Sequence, residues 1–252
     1  MRRSKSLKVL MASAILASGV LMASSSTIAA KSFTDLTNSG SHAEAVQYLN
    51  SVDAYEYKSG NKFNGNSQVT RAEVAQLLHT MFADDLEVTR QYNNGKFKDV
   101  TSATNGSDAI IWSYEVGIFD GGTDGKFNPS AKLTRAQMAK ILVNAFDLEA
   151  ATQINFKDVP SHHWAKNLIS VLATNGVTMG DGKGSYLPNN NVTLDQLSSF
   201  VYRIMKNSGE VKQVVTQTPQ VTTPQVTTPQ AQSGALAELK AAAIKLYTSS
   251  EY

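Results

Sequence analysis

The sequence predicts an all-α protein built from three tandem helix–loop–helix repeats, and three observations lead to this prediction. Aligning Phe33, Phe97 and Phe156 superposes three copies of one pattern without a gap. In each copy the same interval separates this Phe from the start of a later helix, and a glycine-containing loop lies between. Apolar residues recur there at helical spacing. A repeat of this size is one supersecondary element, which needs its neighbours to complete a core.

The second helix of each repeat has the clearest start signal. Thr70 and Glu73 form a predicted capping box, and Thr134 and Gln137 repeat it. The apolar residues that follow at helical spacing are Val74, Leu77, Leu78, Met81 and Phe82 in repeat one, and Met138, Ile141, Leu142, Ala145 and Phe146 in repeat two.

The first helix of repeats two and three is predicted to end at a glycine. Gly117 and Gly176 stop these helices, and glycine-rich loops follow over 117–125 and 176–184. Such loops let the backbone approach a partner closely. The corresponding loop of repeat one, 54–65, is less regular, and Asp53 stands where the other repeats have the terminating glycine.

An arginine at the start of two of these helices predicts a binding site. Arg71 and Arg135 directly follow the capping threonines, where the helix dipole disfavours a cation. Two arginines at the same place in a repeat can form an anion site together with the free N–H groups of the helix. The alternative is that each arginine is solvated or pairs with a nearby carboxylate.

The N-terminus predicts export. A basic segment (Arg2, Arg3, Lys5, Lys8) precedes an apolar run over 9–22 and small residues at 27–30, which is typical of a signal peptide; the alternative is a retained anchor. Removing residues 1–30 takes four basic and no acidic side chains from totals of 23 and 21, so the net charge changes from +2 to −2. This argues against a nucleic-acid partner, and no membrane contact is expected after cleavage. The absence of cysteine excludes a disulfide-stapled module.

The predicted organisation has six parts. It comprises a signal peptide (1–30), repeat one (31–90), repeat two (95–150), repeat three (154–208), a linker (209–234) and a short C-terminal helix or tail (235–252). The linker repeats Thr, Pro and Gln without an apolar face. The final segment could bind a protein partner or fray, because a helix of that length is marginal alone.

The repeated motifs resemble those of the S-layer homology (SLH) domain family. Repeat two supplies Phe97-Lys98-Asp99-Val100, Phe127-Asn128-Pro129 and Thr134-Arg135-Ala136-Gln137. Repeat three supplies Phe156-Lys157-Asp158-Val159, His163-Trp164-Ala165 and Tyr186-Leu187-Pro188. Repeat one supplies Phe33-Thr34-Asp35-Leu36 and Thr70-Arg71-Ala72-Glu73. The resemblance covers about residues 31–208.

The resemblance implies a pseudo-threefold spindle with a central three-helix bundle and grooves between adjacent repeats. It also implies a secreted, non-catalytic module that binds secondary cell wall polysaccharide attached to peptidoglycan, often through sugars carrying a pyruvate ketal, at a Gram-positive surface. The matching site residues are Arg71, Arg135, Thr70, Thr134, Gly121, Gly180 and Trp164. Arginine would receive the ketal carboxylate, and Trp164 would either stack on a sugar or lie in the core.

Repeats one and three depart from the family pattern. Repeat three has Leu194 where the others have arginine, followed by Asp195, which would repel an anion. Repeat one has Ser41 and Tyr57 at the positions of Trp164 and the loop glycine. We therefore expect at most two working grooves.

The sequence gives no support for catalysis, a cofactor or a metal. There is no cysteine nucleophile, and His42, His79, His162 and His163 lack metal-ligand spacing. Asp120 could begin a calcium loop, but Ala131 stands where such a loop needs glutamate. The alternative functions are a shortened member of an SLH-anchored wall hydrolase family, since only about twenty residues follow the linker, and a surface-layer subunit.

Overall fold

The computed structural model describes residues 31–36, 40–82, 95–150 and 152–209. This part of the chain contains six α-helices and three isolated β-bridges, with no β-strand. The helices are α1 (Ala43–Ser51), α2 (Arg71–Phe82), α3 (Ser107–Glu115), α4 (Arg135–Phe146), α5 (Lys166–Thr174) and α6 (Leu194–Asn207). Each repeat contributes two, so the all-α prediction is confirmed.

Three backbone hydrogen bonds link the repeats in a closed ring. The amide of Val69 donates to the carbonyl of Val192 at 2.9 Å, that of Leu133 to Val69 at 3.2 Å, and that of Val192 to Leu133 at 3.0 Å. All three side chains are buried. Because each of these positions precedes a second helix, the ring fixes the starts of α2, α4 and α6 relative to one another. We call it the backbone ring.

Helices of different repeats also pack in cyclic order. The second helix of each repeat packs on the first helix of the next, which pairs α2 with α3, α4 with α5, and α6 with α1. We call these contacts, with the neighbouring loops, the first, second and third junctions. Their apolar residues belong to one continuous core, as expected for repeats that cannot bury their apolar faces alone.

The aspartate near the start of each repeat organises the loop of that repeat. The carboxylate of Asp99 accepts hydrogen bonds from the amides of Phe127 and Asn128 at 2.8 and 2.7 Å. Asp35 and Asp158 do the same for their own loops. In Asp35 these bonds, led by the one from Phe63, lower the pKa of the carboxyl group. These aspartates therefore close turns, which is a structural role.

Polar contacts strengthen the third junction. Tyr202 of α6 donates to the carboxylate of Glu44 in α1 at 2.5 Å, and Lys206 lies 3.3 Å from the same oxygen. These bonds, led by the one from Tyr202, lower the pKa of Glu44. The ring of Tyr202 also lies 5.3 Å from that of Tyr48. The last described helix is thus fastened to the first.

Some predictions lie outside the described residues or stay predictions. The signal peptide, the linker beyond residue 209 and the C-terminal helix or tail lie outside the described residues. The spindle shape, its central three-helix bundle and the domain boundaries stay predictions. Among the helices described here, none combines the length and apolarity that crossing a membrane requires.

Candidate ligand-binding clefts at the repeat junctions

The helix starts have the predicted caps. Thr70 accepts from the amide of Glu73 at 3.1 Å, and Glu73 accepts from the amide of Thr70 at 2.7 Å. Thr134 with Gln137 and Thr193 with Gln196 form the same capping box. The two threonines predicted as site residues, Thr70 and Thr134, thus define the helix starts that present Arg71 and Arg135.

The first amides of these helices are not free, so the prediction that they receive an anion is wrong. Arg71 and Ala72 donate their N–H groups to the carbonyls of Ala131 and Pro129, both at 3.0 Å. Equivalent pairs at the second and third junctions donate to carbonyls of repeats three and one. The next repeat therefore satisfies the donors that a helix start leaves open. A bound anion would therefore have to be met by groups other than these first amides.

Arg71 reaches from repeat one into the loop of repeat two. Its Nε donates to the carbonyl of Phe127 and its Nη2 to the carbonyl of Asp120, both at 2.7 Å. Its Cζ atom lies 4.4 Å from the centroid of the Phe127 ring and 5.1 Å from that of Phe119. Partial burial lowers the pKa of this guanidinium, but arginine stays charged at neutral pH. Among the described residues, Arg71 has no carboxylate partner.

The Nε atom of Arg135 makes a contact equivalent to that of Arg71, but Arg135 is more deeply buried. Its Nε donates to the carbonyl of Tyr186 at 2.7 Å, and the Tyr186 hydroxyl donates back to the carbonyl of Arg135 at 2.9 Å. Its Cζ lies 4.6 Å from the Tyr186 ring and 5.5 Å from the Phe200 ring. Only 9% of Arg135 is exposed, and burial lowers its pKa. Arg135 is therefore less open to a ligand than Arg71.

The first junction contains a cleft of about 430 Å³ that brings together three predicted site residues from three repeats. Arg71 of repeat one, Gly121 of repeat two and Trp164 of repeat three all line it. The remaining lining residues are Ile118, Phe119, Asp120, Gly122, Phe127, Asn128, Ala131, Gln137, Lys140 and Ile141. A cation, an apolar floor and an exposed aromatic ring share this cleft.

Trp164 is exposed and oriented by its neighbours. It precedes α5 and is 59% exposed, so the alternative that it belongs to the core is wrong. Its ring stacks on His163 with centroids 5.9 Å apart and an interplanar angle of 23°. Nδ1 of His163 accepts a hydrogen bond from the amide of Ala165 at 3.1 Å, which holds the imidazole in place. An oriented, exposed indole suits stacking on a ligand.

Charged side chains face each other across the same cleft. Lys140 of α4 forms an ion pair with the carboxylate of Asp120, and the two side chains are 44% and 66% exposed. Sequence reasoning considered Asp120 only for calcium and did not select Lys140. The repeat alignment carried a signal, because the equivalent positions in repeat three, Met179 and Ser199, lack both charges.

Gly180 lies beside the second junction and needs to be glycine. Its φ is +72°, and an added Cβ atom would lie 2.3 Å from the carbonyl oxygen of Ser185. Its amide donates to the hydroxyl of Thr178 at 3.1 Å, and Nη2 of Arg135 donates to that hydroxyl at 3.4 Å. Gly180 therefore shapes the loop that Arg135 contacts. At Gly121 an added Cβ would lie 2.5 Å from the ring of Phe97.

The third junction is electrostatically different. Leu194, which replaces the arginine, is 2% exposed and lies in the core. A cleft of about 860 Å³ lies at this junction. Its lining includes three carboxylates, those of Asp35, Glu73 and Asp195, and one lysine, Lys58. In repeat one the ring of Tyr57 packs on the core, and burial raises the pKa of its hydroxyl. These features disfavour an anion there.

Two of the groups considered for catalysis or metal binding, Asp124 and His42, have hydrogen-bond partners. Within the described ranges, no cluster of three or more His, Cys, Asp or Glu side chains could hold a metal ion. Asp124, in the segment considered for calcium, accepts from the amide of Lys126 at 3.1 Å. His42 contacts the hydroxyl of Ser199 at 2.6 Å through Nδ1.

Comparison with known proteins agrees with the repeat pattern. The chain is 34% identical over 73% of its length to a surface-layer 125 kDa protein of Lysinibacillus sphaericus. It is 26% identical over 72% to an amylopullulanase of Thermoanaerobacterium thermosulfurigenes, and 25% identical over 68% to a cellulosome-anchoring protein of Acetivibrio thermocellus. The aligned segments cover 15%, 10% and 38% of these relatives, so the chain spans a minor part of each.

The sequence profile of the S-layer homology domain matches the chain three times, at residues 32–75, 96–139 and 155–197. This domain is a non-catalytic anchoring module, and its presence here indicates attachment at the cell wall. The three matched segments account for just over half of the residues, and the chain therefore belongs to the S-layer homology domain family.

Proposed function

We propose that this protein attaches itself to the cell wall by binding an acidic secondary cell wall polysaccharide, whose pyruvate-ketal sugars enter the cleft of the first junction. The observation that carries the proposal is the meeting of Arg71, Gly121 and Trp164 in one cleft of about 430 Å³. The carboxylate of a ketal would lie at the cationic end of the cleft, and a sugar ring would stack on Trp164.

The charge balance of the three junctions supports an acidic ligand at the first. Arg71 and Lys140 outnumber Asp120 among the lining residues of the first cleft, whereas in the cleft of the third junction three carboxylates outnumber the single lysine. Arg135 provides a cation at the second junction, but its burial limits access. We therefore assign the principal site to the first junction and a secondary site to the second.

A wall-sedimentation experiment tests this proposal. The exported form of the chain (residues 31–252) is mixed with intact walls, with walls stripped of polysaccharide, and with walls from which the ketal has been removed by mild acid. We expect the protein to pellet only with intact walls, because the guanidinium needs the ketal carboxylate. Equal pelleting with ketal-free walls would contradict the proposal. Zymography of the same samples tests for hydrolysis, and we expect no clearing.

Arginine variants locate the site within the same assay. We expect pelleting to fall by more than tenfold in Arg71→Ala and further in the double variant Arg71→Ala, Arg135→Ala. Arg203→Ala is a matched control, since Arg203 also donates to a backbone carbonyl, that of Val177 at 3.0 Å, but does not line the first cleft. Circular dichroism at the assay temperature confirms that each variant is folded. If folded Arg71→Ala pelleted like wild type, the assignment of Arg71 would be wrong.

Trp164→Ala separates ligand stacking from stability. Because the indole is largely exposed, we expect a change in unfolding free energy within about 0.5 kcal/mol. Loss of the stacking platform should weaken wall binding about tenfold, which corresponds to about 1.4 kcal/mol. Val52→Ala is the control, since Val52 is 45% exposed at the end of α1. Unchanged wall binding by Trp164→Ala would exclude stacking.

A further inference from the structure

The ion pair between Lys140 and Asp120 lies within the first cleft. The same Asp120 residue also holds Arg71, because its backbone carbonyl accepts from Nη2 of that arginine at 2.7 Å. Asp120 therefore engages both cations of the cleft. Its carboxylate pairs with Lys140, and its backbone carbonyl accepts a hydrogen bond from Arg71. Only the first of these contacts depends on the side chain of Asp120.

The pair is not needed to form a repeat. The equivalent positions are Met179 and Ser199 in repeat three, and Glu56 and Gln76 in repeat one. All three repeats nevertheless form the same two helices. An ion pair this exposed contributes about 0–1 kcal/mol to stability. This ion pair occurs in one cleft and contributes little to stability. Lys140 can therefore exchange the Asp120 carboxylate for the carboxylate of a ligand.

We propose that Lys140 selects an acidic ligand in this cleft and that the Asp120 carboxylate is its internal competitor. In the free protein Asp120 pairs with Lys140, and the ligand carboxylate displaces it. This inference rests on the function proposed above and adds the group that discriminates between charged and neutral saccharides. Arg71 already donates to two carbonyls and is the second cation available to the ligand carboxylate.

The displaced carboxylate affects binding in two ways. It competes for Lys140 before the ligand arrives, and it repels the ligand carboxylate afterwards. Both effects weaken binding of an acid and leave binding of its neutral ester nearly unchanged. Both are also screened by salt, since the two side chains are solvent-exposed.

The test compares one saccharide in two charge states. The probes are a methyl hexosaminide carrying a 4,6-pyruvate ketal and the methyl ester of that ketal. Binding to the chain (residues 31–252) is followed by calorimetry and by the NMR signal of the Trp164 indole N–H. The variants are Asp120→Asn, Lys140→Met and both together, at low and high salt. Lys126→Met is the matched control, because Lys126 is an exposed lysine of the same loop that does not line the cleft.

We expect Asp120→Asn to bind the acid about fivefold more tightly at low salt, with the gain shrinking at high salt. Lys140→Met should bind the acid about tenfold more weakly and the ester within twofold of wild type. The double variant should bind the acid more weakly than Asp120→Asn but more tightly than Lys140→Met, because it lacks the cation but also lacks the repulsion by the Asp120 carboxylate. Weaker binding of both probes by Asp120→Asn would overturn the proposal, as would an unchanged acid preference in Lys140→Met. If wild type bound neither probe, the proposed function itself would fail.

Discussion

Replacing Arg135 by alanine is expected to lower the free energy of unfolding by about 3 kcal/mol. The guanidinium is almost fully buried, donates to the carbonyl of Tyr186 at 2.7 Å, and stacks between the rings of Tyr186 and Phe200. Alanine leaves a buried carbonyl without its donor and opens a cavity between two aromatic rings. Urea unfolding followed by circular dichroism measures the change.

Two further variants separate charge from geometry at this position. Arg135→Lys keeps the cation but loses the planar donor set, so we expect it to recover less than half of the lost stability. Arg71→Ala removes similar hydrogen bonds and ring contacts at a more exposed site and should cost about half as much. Full stability of Arg135→Ala would show that Arg135 does not fasten repeat two to repeat three. Stability must therefore be measured before lost wall binding is attributed to lost ligand contacts.

Gly180→Ala is expected to cost at least about 3 kcal/mol. The backbone at Gly180 has φ +72°, and the new Cβ atom would lie 2.3 Å from the carbonyl oxygen of Ser185 and 2.8 Å from the ring of Phe156. The methyl group clashes with backbone, which cannot move away as a flexible side chain can. The loop that presents Thr178 and Tyr186 to Arg135 must therefore rearrange. Thermal unfolding of the variant measures the cost.

Gly182→Ala provides the matched control. Gly182 lies in the same loop with φ +74°, but no atom lies within 4 Å of an added Cβ. Its substitution carries the conformational cost alone, which is about 1 kcal/mol. The difference between the two variants isolates the steric term at Gly180. Equal destabilisation would mean that backbone conformation, and not the clash, accounts for the glycine.

The helices were predictable because their signals are local. The capping boxes at Thr70 and Thr134 depend on residues three apart in sequence, and both form. Apolar positions such as Leu77 and Leu142 recur at helical spacing and are fully buried. Repetition strengthened these signals, since each pattern occurs more than once in the sequence.

The contacts between repeats could not be predicted in the same way. The amide of Arg71 donates to Ala131, and no property of the helix start indicates that a carbonyl from the next repeat will occupy it. Trp164 shares a cleft with Arg71 although three repeats must assemble before the two residues meet. The exposure difference between Arg71 and Arg135 likewise depends on which side chains the neighbouring loop contributes. Such features require the register between repeats, which local patterns leave undetermined.

The third junction has a mechanical consequence for a wall-attached protein. The chain continues beyond Asn207, so tension transmitted from that side enters the structure through α6. Tyr202 and Lys206 connect α6 to Glu44 of α1, and the load passes into the junction where Leu194 replaces arginine. The first junction, which pairs α2 with α3, is not the first to bear that force. Under the proposed function, ligand binding at the first junction and resistance to pulling at the third junction would depend on different contacts between repeats.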